Sequence, residues 1–153
     1  MCLVYDKGET SAIEELLKKS PSNTKIFYKV YEVKTWKNQT GSGFHLHSVY
    51  FNKRKPIKGP GYVVSNRNQK ELLAYEREIY EGIHVHERKH STIADVDYAK
   101  VCHGRIVVVI PVVCSLKDHV ASGFYGNYNS SVFMKIKITE QTWSKLQKQF
   151  LKG

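Results

Sequence analysis

The sequence contains few cysteines, and they follow no pattern. Cys2, Cys102 and Cys114 are an odd number without regular spacing, whereas a disulfide-stabilised secreted domain needs an even, patterned set. We therefore expect reduced thiols in a cytosol-like compartment. The chain of 153 residues is long enough to bury a core without such cross-links.

Long apolar runs are also missing. No segment approaches the roughly 20 apolar residues that a membrane-spanning helix needs. The N-terminal stretch MCLVYDKGETS has only a short apolar piece before Asp6, unlike a secretory signal or a membrane anchor. Walker loops, nucleotide-binding glycine fingerprints and nucleophile elbows are absent from the sequence too. We expect a cytoplasmic protein without a membrane partner.

Acidic residues are scarce relative to basic ones. The chain has 14 Asp and Glu against 24 Lys and Arg, which leaves a net charge of +10. Such a surplus favours a polyanionic partner, either nucleic acid or another acidic surface, although it does not indicate a fold.

The most apolar segment runs from Ile106 to Val113, where seven of the eight residues are β-branched. This composition favours a strand over a helix, and a central strand covered on both faces is the simplest interpretation. Proline lacks the backbone donor that a ladder needs. We therefore expect full burial up to about Ile110 and a distortion after that residue.

Strand and helix patterns alternate irregularly along the chain. They predict helices capped by Ser11 with Glu14, by Asn68 with Glu71, and by Thr139, a helix beginning at Ser91, a hairpin of strands 25–34 and 44–51, and a strand over 132–138. Because no strict βαβ rhythm appears, we predict a single α+β domain over residues 1–153. It should contain a mixed or antiparallel sheet of about five to six strands with three to four helices packed on it.

A basic loop is the first candidate site. Residues 53–70 contain six basic residues and no acidic one. Tyrosines flank the basic residues, so phosphate contacts and base-stacking rings could lie side by side. The predicted nucleic-acid-binding residues are Lys53, Arg54, Lys55, Lys58, Arg67, Lys70, Tyr50 and Tyr62. The alternative is a solvated loop whose charges keep the protein soluble.

Histidines form the second candidate site. His45 and His47, and likewise His84 and His86, are spaced two apart on expected strands, which places each pair on one face. If the strands were neighbours, four imidazoles could converge on Zn²⁺, with Cys102 or His103 as further ligands. The alternative is half-buried histidines that hydrogen-bond to the backbone.

Two further segments carry residues suited to chemistry or to contact. Cys102 and His103 are adjacent in sequence, but neighbours on a strand point to opposite faces and cannot form a thiolate pair. The segment 123–131 combines aromatic rings with glycine and asparagine, as in an adaptable loop for a protein partner. Its alternative is a hairpin connection packed by its own tyrosines.

One part of the chain resembles a known enzyme family. A strand opening at Gly82-Ile83, a helix with Ala94 and Tyr98, and the apolar strand from Ile106 to Ile110 together resemble the second half of ADP-ribosyltransferase domains. This resemblance implies a transferase that uses NAD, with a catalytic glutamate on the final strands. Here the late strand carries Lys135-Ile136-Lys137 instead.

A second resemblance concerns origin. The segments Phe27–Tyr31, Gly61–Arg67 and Gly82–Val85 are similar to small uncharacterised proteins of phages and large DNA viruses. This similarity implies a viral protein, located in the host cytoplasm or in the virion, and it implies no activity.

These observations favour a basic binding protein that contacts nucleic acid or another acidic surface through the 53–70 loop. One alternative is a virion structural or interaction protein. Another is an enzyme, either dependent on a metal held by the His-x-His pairs or similar to ADP-ribosyltransferases.

Overall fold

The computed structural model describes residues 3–49, 55–65 and 82–151. Within these ranges the strands are β1 (Val4–Tyr5), β2 (Thr24–Asn38), β3 (Gly41–Ser48), β4 (Gly61–Val64), β5 (Ile83–Val85), β6 (Val107–Ser115), β7 (His119–Tyr125), β8 (Tyr128–Phe133) and β9 (Lys135–Ile138). The helices are α1 (Lys7–Lys19), α2 (Ile93–Val96) and α3 (Glu140–Phe150). The predicted helix at Asn68 lies outside the described residues.

The strands form two antiparallel sheets. One has four strands in the order β1-β7-β8-β5, and the other has five in the order β3-β2-β6-β9-β4. Tyr28 of β2 exchanges two backbone hydrogen bonds with His86, which follows β5, and so connects the sheets. The α+β class is confirmed, although the strands divide between two sheets where one sheet of five to six was expected.

The long pairing of β2 with β6 lies at the centre of the five-stranded sheet. Its register runs without interruption from Thr24 opposite Ser115 to Glu32 opposite Val107. Residues that alternate along β2 and β6 therefore face a core between the sheets. That core contains Phe27, Tyr31, Val33, Ile110, Val112, Cys114, Phe133, Ile136 and Ile138, together with Ile13 and Leu17 of α1 and Trp143 and Leu146 of α3.

The predicted central strand exists, but its expected burial and distortion are wrong. Residues 107–109 are only half-buried, and Ile106 is 58% exposed. Pro111 causes no break in the register, because its partner Tyr28 directs its own backbone groups toward His86 instead of toward β6. The backbone nitrogen of Pro111 points away from β2, toward the side of β6 on which β9 pairs only with Val113 and Cys114. Pro111 therefore removes no ladder hydrogen bond.

The helix ends depend on side-chain caps. At α3 the Thr139 hydroxyl accepts a hydrogen bond from the Thr142 amide, as predicted. At α1 the cap is Asp6, whose carboxylate accepts from the Glu9 amide at 2.9 Å. The predicted cap at Ser11 is therefore wrong, because α1 begins at Lys7 and Asp6, five residues before Ser11, accepts from an amide of its first turn.

The segment 123–131 forms a hairpin, in agreement with the second of its two interpretations. Strands β7 and β8 pair as far as Tyr125 opposite Tyr128, and Gly126 turns the chain with φ +62°. Gly123 lies so close to β1 that an added Cβ would meet the Val4 carbonyl oxygen at 1.9 Å. The expected strand over 132–138 is divided at Met134, so that β8 and β9 belong to different sheets. None of the described helices is long and apolar enough to cross a membrane.

The alternation of β2 allows a direct test of the core. Phe27 is fully buried, with its ring centroid 5.2 Å from that of Phe133 in an edge-on arrangement. We expect Phe27→Ala to lower the free energy of unfolding by about 3–5 kcal/mol. The measurement is urea denaturation followed by circular dichroism.

Ile26→Ala is the matched control. Ile26 directly precedes Phe27 in the chain, points to the opposite face of β2 and is 42% exposed. It should cost less than about 1 kcal/mol. Equal losses in the two variants would contradict the assignment of faces.

Candidate nucleic-acid interface

Tyr62 lies on the outer face of the β4–β9 pair. Ile136 and Ile138 of β9 point into the core, so Lys135 and Lys137 point outward. Register places Tyr62 directly opposite Lys137 and diagonally from Lys135. Their amines lie 5.5 Å and 4.7 Å from the centroid of the Tyr62 ring. Tyr62 remains 65% exposed, so much of its ring stays accessible to a ligand.

The described part of the basic loop is fixed to the far edge of the same sheet. Ile57 and Leu46 of β3 exchange two backbone hydrogen bonds of 2.8 and 3.0 Å. The exposed residues Lys55 and Lys58 lie on either side of this anchor. The segment therefore runs between β3 and β4 in a fixed position, and its lysines flank a cavity.

That cavity, called here the inner cavity, has a volume of about 360 Å³. Its walls come from β2, β3, β4, β5 and the 55–59 segment, and its described lining residues include no carboxylate. Three lysines line it, namely Lys29, Lys55 and Lys58. Tyr62 forms part of its wall.

A second cavity, called here the outer cavity, has a volume of about 410 Å³ and also uses Tyr62 as a wall. Its lysines are Lys117, Lys135 and Lys137, and Asp118 is its one carboxylate among the described lining residues. Tyr62 thus stands between two cavities that each carry three lysines. We call Tyr62 and these six lysines the Tyr62 surface.

The structure brings together only part of the predicted site. Lys55, Lys58 and Tyr62 lie around one cavity. Lys53, Arg54, Arg67, Lys70 and Tyr50 lie outside the described residues. Sequence reasoning did not single out Lys29, Lys117, Lys135 and Lys137, which line the two cavities. Their proximity to Tyr62 depends on β4 pairing with β9, which no local pattern indicates.

The two histidine pairs do not meet. His45 and His47 lie on β3 in the five-stranded sheet, whereas His84 lies on β5 in the four-stranded sheet and His86 follows it. Within the described ranges no three His, Cys, Asp or Glu side chains come close enough to hold a metal ion. Burial, followed by the charge of Lys34, lowers the pKa of His47.

His86 and His103 have separate contacts. The ring of His86 is buried, and its nitrogens lie 2.8 Å from the Asn129 carbonyl oxygen and 3.2 Å from an Asp95 carboxylate oxygen. These contacts join the end of β5 to β8 and to α2, so His86 helps to hold these elements together. His103 packs against Tyr98, and its neighbour Cys102 is exposed.

A buried polar cluster between α1 and the four-stranded sheet was not expected from the sequence. His119 Nε2 lies 2.8 Å from Ser122 Oγ, which in turn lies 2.8 Å from Ser131 Oγ. His119 Nδ1 lies 3.5 Å from a Glu14 oxygen but makes no hydrogen bond to any described residue. The order of acid, imidazole and hydroxyl is that of a nucleophilic triad. However, Ser122 is only 1% exposed, so substrate cannot reach its hydroxyl.

Comparisons with known proteins add no assignment. No protein-family model, curated protein or solved structure matches the chain. The chemistry of the site therefore follows from its residues alone. An exposed ring among six lysines can bind anions and flat aromatic groups together.

His119 should make stability depend on pH. Burial lowers its pKa below the ordinary value of 6.5, and Glu14 partly offsets this effect. Below pH 6.5 the unfolded chain therefore binds a proton that the folded protein does not. We expect the free energy of unfolding to be fully retained above pH 6.5 and to fall as the pH decreases through the lower folded-state pKa.

His119→Gln should reduce this slope in urea denaturation between pH 7.5 and pH 5, because the titrating group is gone. Part of the slope should remain, since the pKa of His47 is also lowered. Comparison at pH 8 measures the packing cost of the substitution separately. A slope equal to that of the wild type would show that His119 does not cause the dependence.

Proposed function

We propose that this protein binds single-stranded nucleic acid through the Tyr62 surface. The observation that carries the proposal is the position of the exposed Tyr62 ring between two cavities that each contain three lysines. Proteins that bind single strands combine a positively charged groove with aromatic rings on which bases stack.

The electrostatic balance supports a polyanionic ligand. The net charge of +10 attracts polyanions at long range, and the Tyr62 surface adds local cations with one described carboxylate, Asp118. Exposed lysines beside a ring contribute only about 0.5–1 kcal/mol through cation–π contact. Their clustering is therefore explained better by ligand binding than by stability.

The exposed ring favours a single strand over a duplex. Bases in a duplex are already stacked on each other, whereas an unpaired base can place its face on a side chain. Tyr62 lies on β4, which pairs with β9, and the amines of Lys135 and Lys137 are less than 6 Å from its ring centroid. A base on Tyr62 would thus carry its phosphates toward Lys135 and Lys137. The suggested viral origin depends on the sequence resemblance alone, and the proposal does not require it.

The first prediction concerns charge. Each lysine that neutralises a phosphate of a single strand contributes about 0.7 to the slope of log K against log salt. Replacing Lys135 and Lys137 together by Gln should reduce that slope by about 1.4. Fluorescence anisotropy with a labelled oligonucleotide, titrated from low to high salt, measures this change.

The matched control replaces Lys145 and Lys148 on α3 by Gln. Both are exposed, and α3 packs on β3 through Trp143 and Phe44, so this variant removes the same charge elsewhere. It should retain nearly the wild-type slope. Absence of binding by the wild type at low salt would refute the proposal, and binding only to acidic proteins would assign the surface to a protein partner.

The second prediction concerns stacking. Tyr62→Ala should weaken single-strand binding by about 1–3 kcal/mol, which is roughly 5- to 150-fold in Kd. Tyr62→Phe keeps the ring and should bind like the wild type. Duplex binding should change less, because paired bases do not need the ring. Wild-type affinity in Tyr62→Ala would exclude this ring as a stacking platform.

A further inference from the structure

Lys29 occupies an unusual position on β2. Lys29 lies two residues from both Phe27 and Tyr31, which are buried in the core between the sheets. Because side chains two apart on a strand share a face, Lys29 lies on the core-facing side of β2. Lysine seldom occupies such a position. Its half-buried amine donates a hydrogen bond of 2.9 Å to the His84 carbonyl of β5 and lies 5.4 Å from the Tyr31 ring centroid.

Lys29 lies near the buried thiol of Cys114. Burial raises the pKa of the nearby Cys114 thiol, and the charge of Lys29 acts on it in the opposite direction. The cation therefore lies close to groups that water does not reach, where charges interact more strongly than at the surface.

Lys29 also lines the inner cavity, together with the exposed Lys55 and Lys58 of the 55–59 segment. The other described lining residues include the apolar Ile57, Val63 and Ile83. At about 360 Å³ the cavity falls in the size range of small-ligand sites, about 300–1,000 Å³. Its shape and charge suit one compact anion attached to a flat or apolar group.

We propose that the inner cavity binds the phosphate monoester of a single nucleotide, with Lys29 as its deep contact and Lys55 and Lys58 at the rim. A monoester carries more negative charge than a diester within a strand, and lysine binds phosphate as a point charge. Tyr62 at the cavity wall offers its ring to the attached base. The ligand is either a free nucleotide or the phosphorylated end of a strand.

For strand ends this inference rests on the proposed function, because it names the part of the nucleic acid that the cavity takes. The outer face with Lys135 and Lys137 would then bind the strand beyond its end. The variants that test the two roles change different lysines, so the failures of the two proposals can be separated.

The test compares one short single-stranded oligonucleotide with a 5′-phosphate, with a 3′-phosphate and with neither, together with the free mononucleotide. We expect the wild type to bind one phosphorylated end about tenfold more tightly than the unphosphorylated strand. Lys29→Met should abolish this preference and keep salt-dependent binding. The variant with Lys135 and Lys137 both changed to Gln should keep the preference for a phosphorylated end and show the reduced salt slope predicted above.

Lys58→Gln guards against a folding defect in Lys29→Met, because Lys58 is exposed and lines the same cavity. It should reduce the preference for a phosphorylated end. Equal binding of all three oligonucleotides, without binding of the mononucleotide, would overturn the inference and leave the proposed function intact. Binding of the mononucleotide alone would support the cavity and refute the strand-binding function.

Discussion

The uninterrupted antiparallel pairing of β2 with β6 is the constraint on which the rest of the structure depends. It runs from Thr24 opposite Ser115 to Glu32 opposite Val107 and fixes which side chains face the core. β3 adds on one side of β2, and β9 adds on the outer side of β6. Through Tyr28 and His86, β2 also positions the end of β5, and with it the four-stranded sheet.

The Tyr62 surface follows from this arrangement. Because the core-facing positions of β9 are Ile136 and Ile138, its lysines must point outward. The pairing of β4 with β9 then brings Tyr62 to them. Lys29 is the exception to the rule, since it is a cation on the core-facing side of β2. Such a violation of patterning is commonly found at a functional position.

Local signals in the sequence succeeded where one interaction decided the outcome. Thr139 caps α3, and the alternation of β2 marks a strand, because a cap and a pleat each depend on neighbours in sequence. They failed where two local signals competed. Asp6 displaced Ser11 as the cap of α1. For the 123–131 segment a binding loop and a hairpin were both open, and the pairing of β7 with β8 decided for the hairpin. Pro111 was misjudged because its effect depends on the direction of its partner's hydrogen bonds.

By itself, the sequence determined the α+β class, the alternation of the main strands, and an excess of positive charge that includes Lys55 and Lys58 on either side of Ile57 and close to Tyr62 in the chain. Composition and short-range periodicity are sufficient for these properties. Only the tertiary structure decided that the histidine pairs lie in different sheets and that Lys135 and Lys137 join Tyr62. It alone also decided that Lys29 enters a cavity. Strand order and the contacts between sheets join residues far apart in the chain, so no local pattern encodes them.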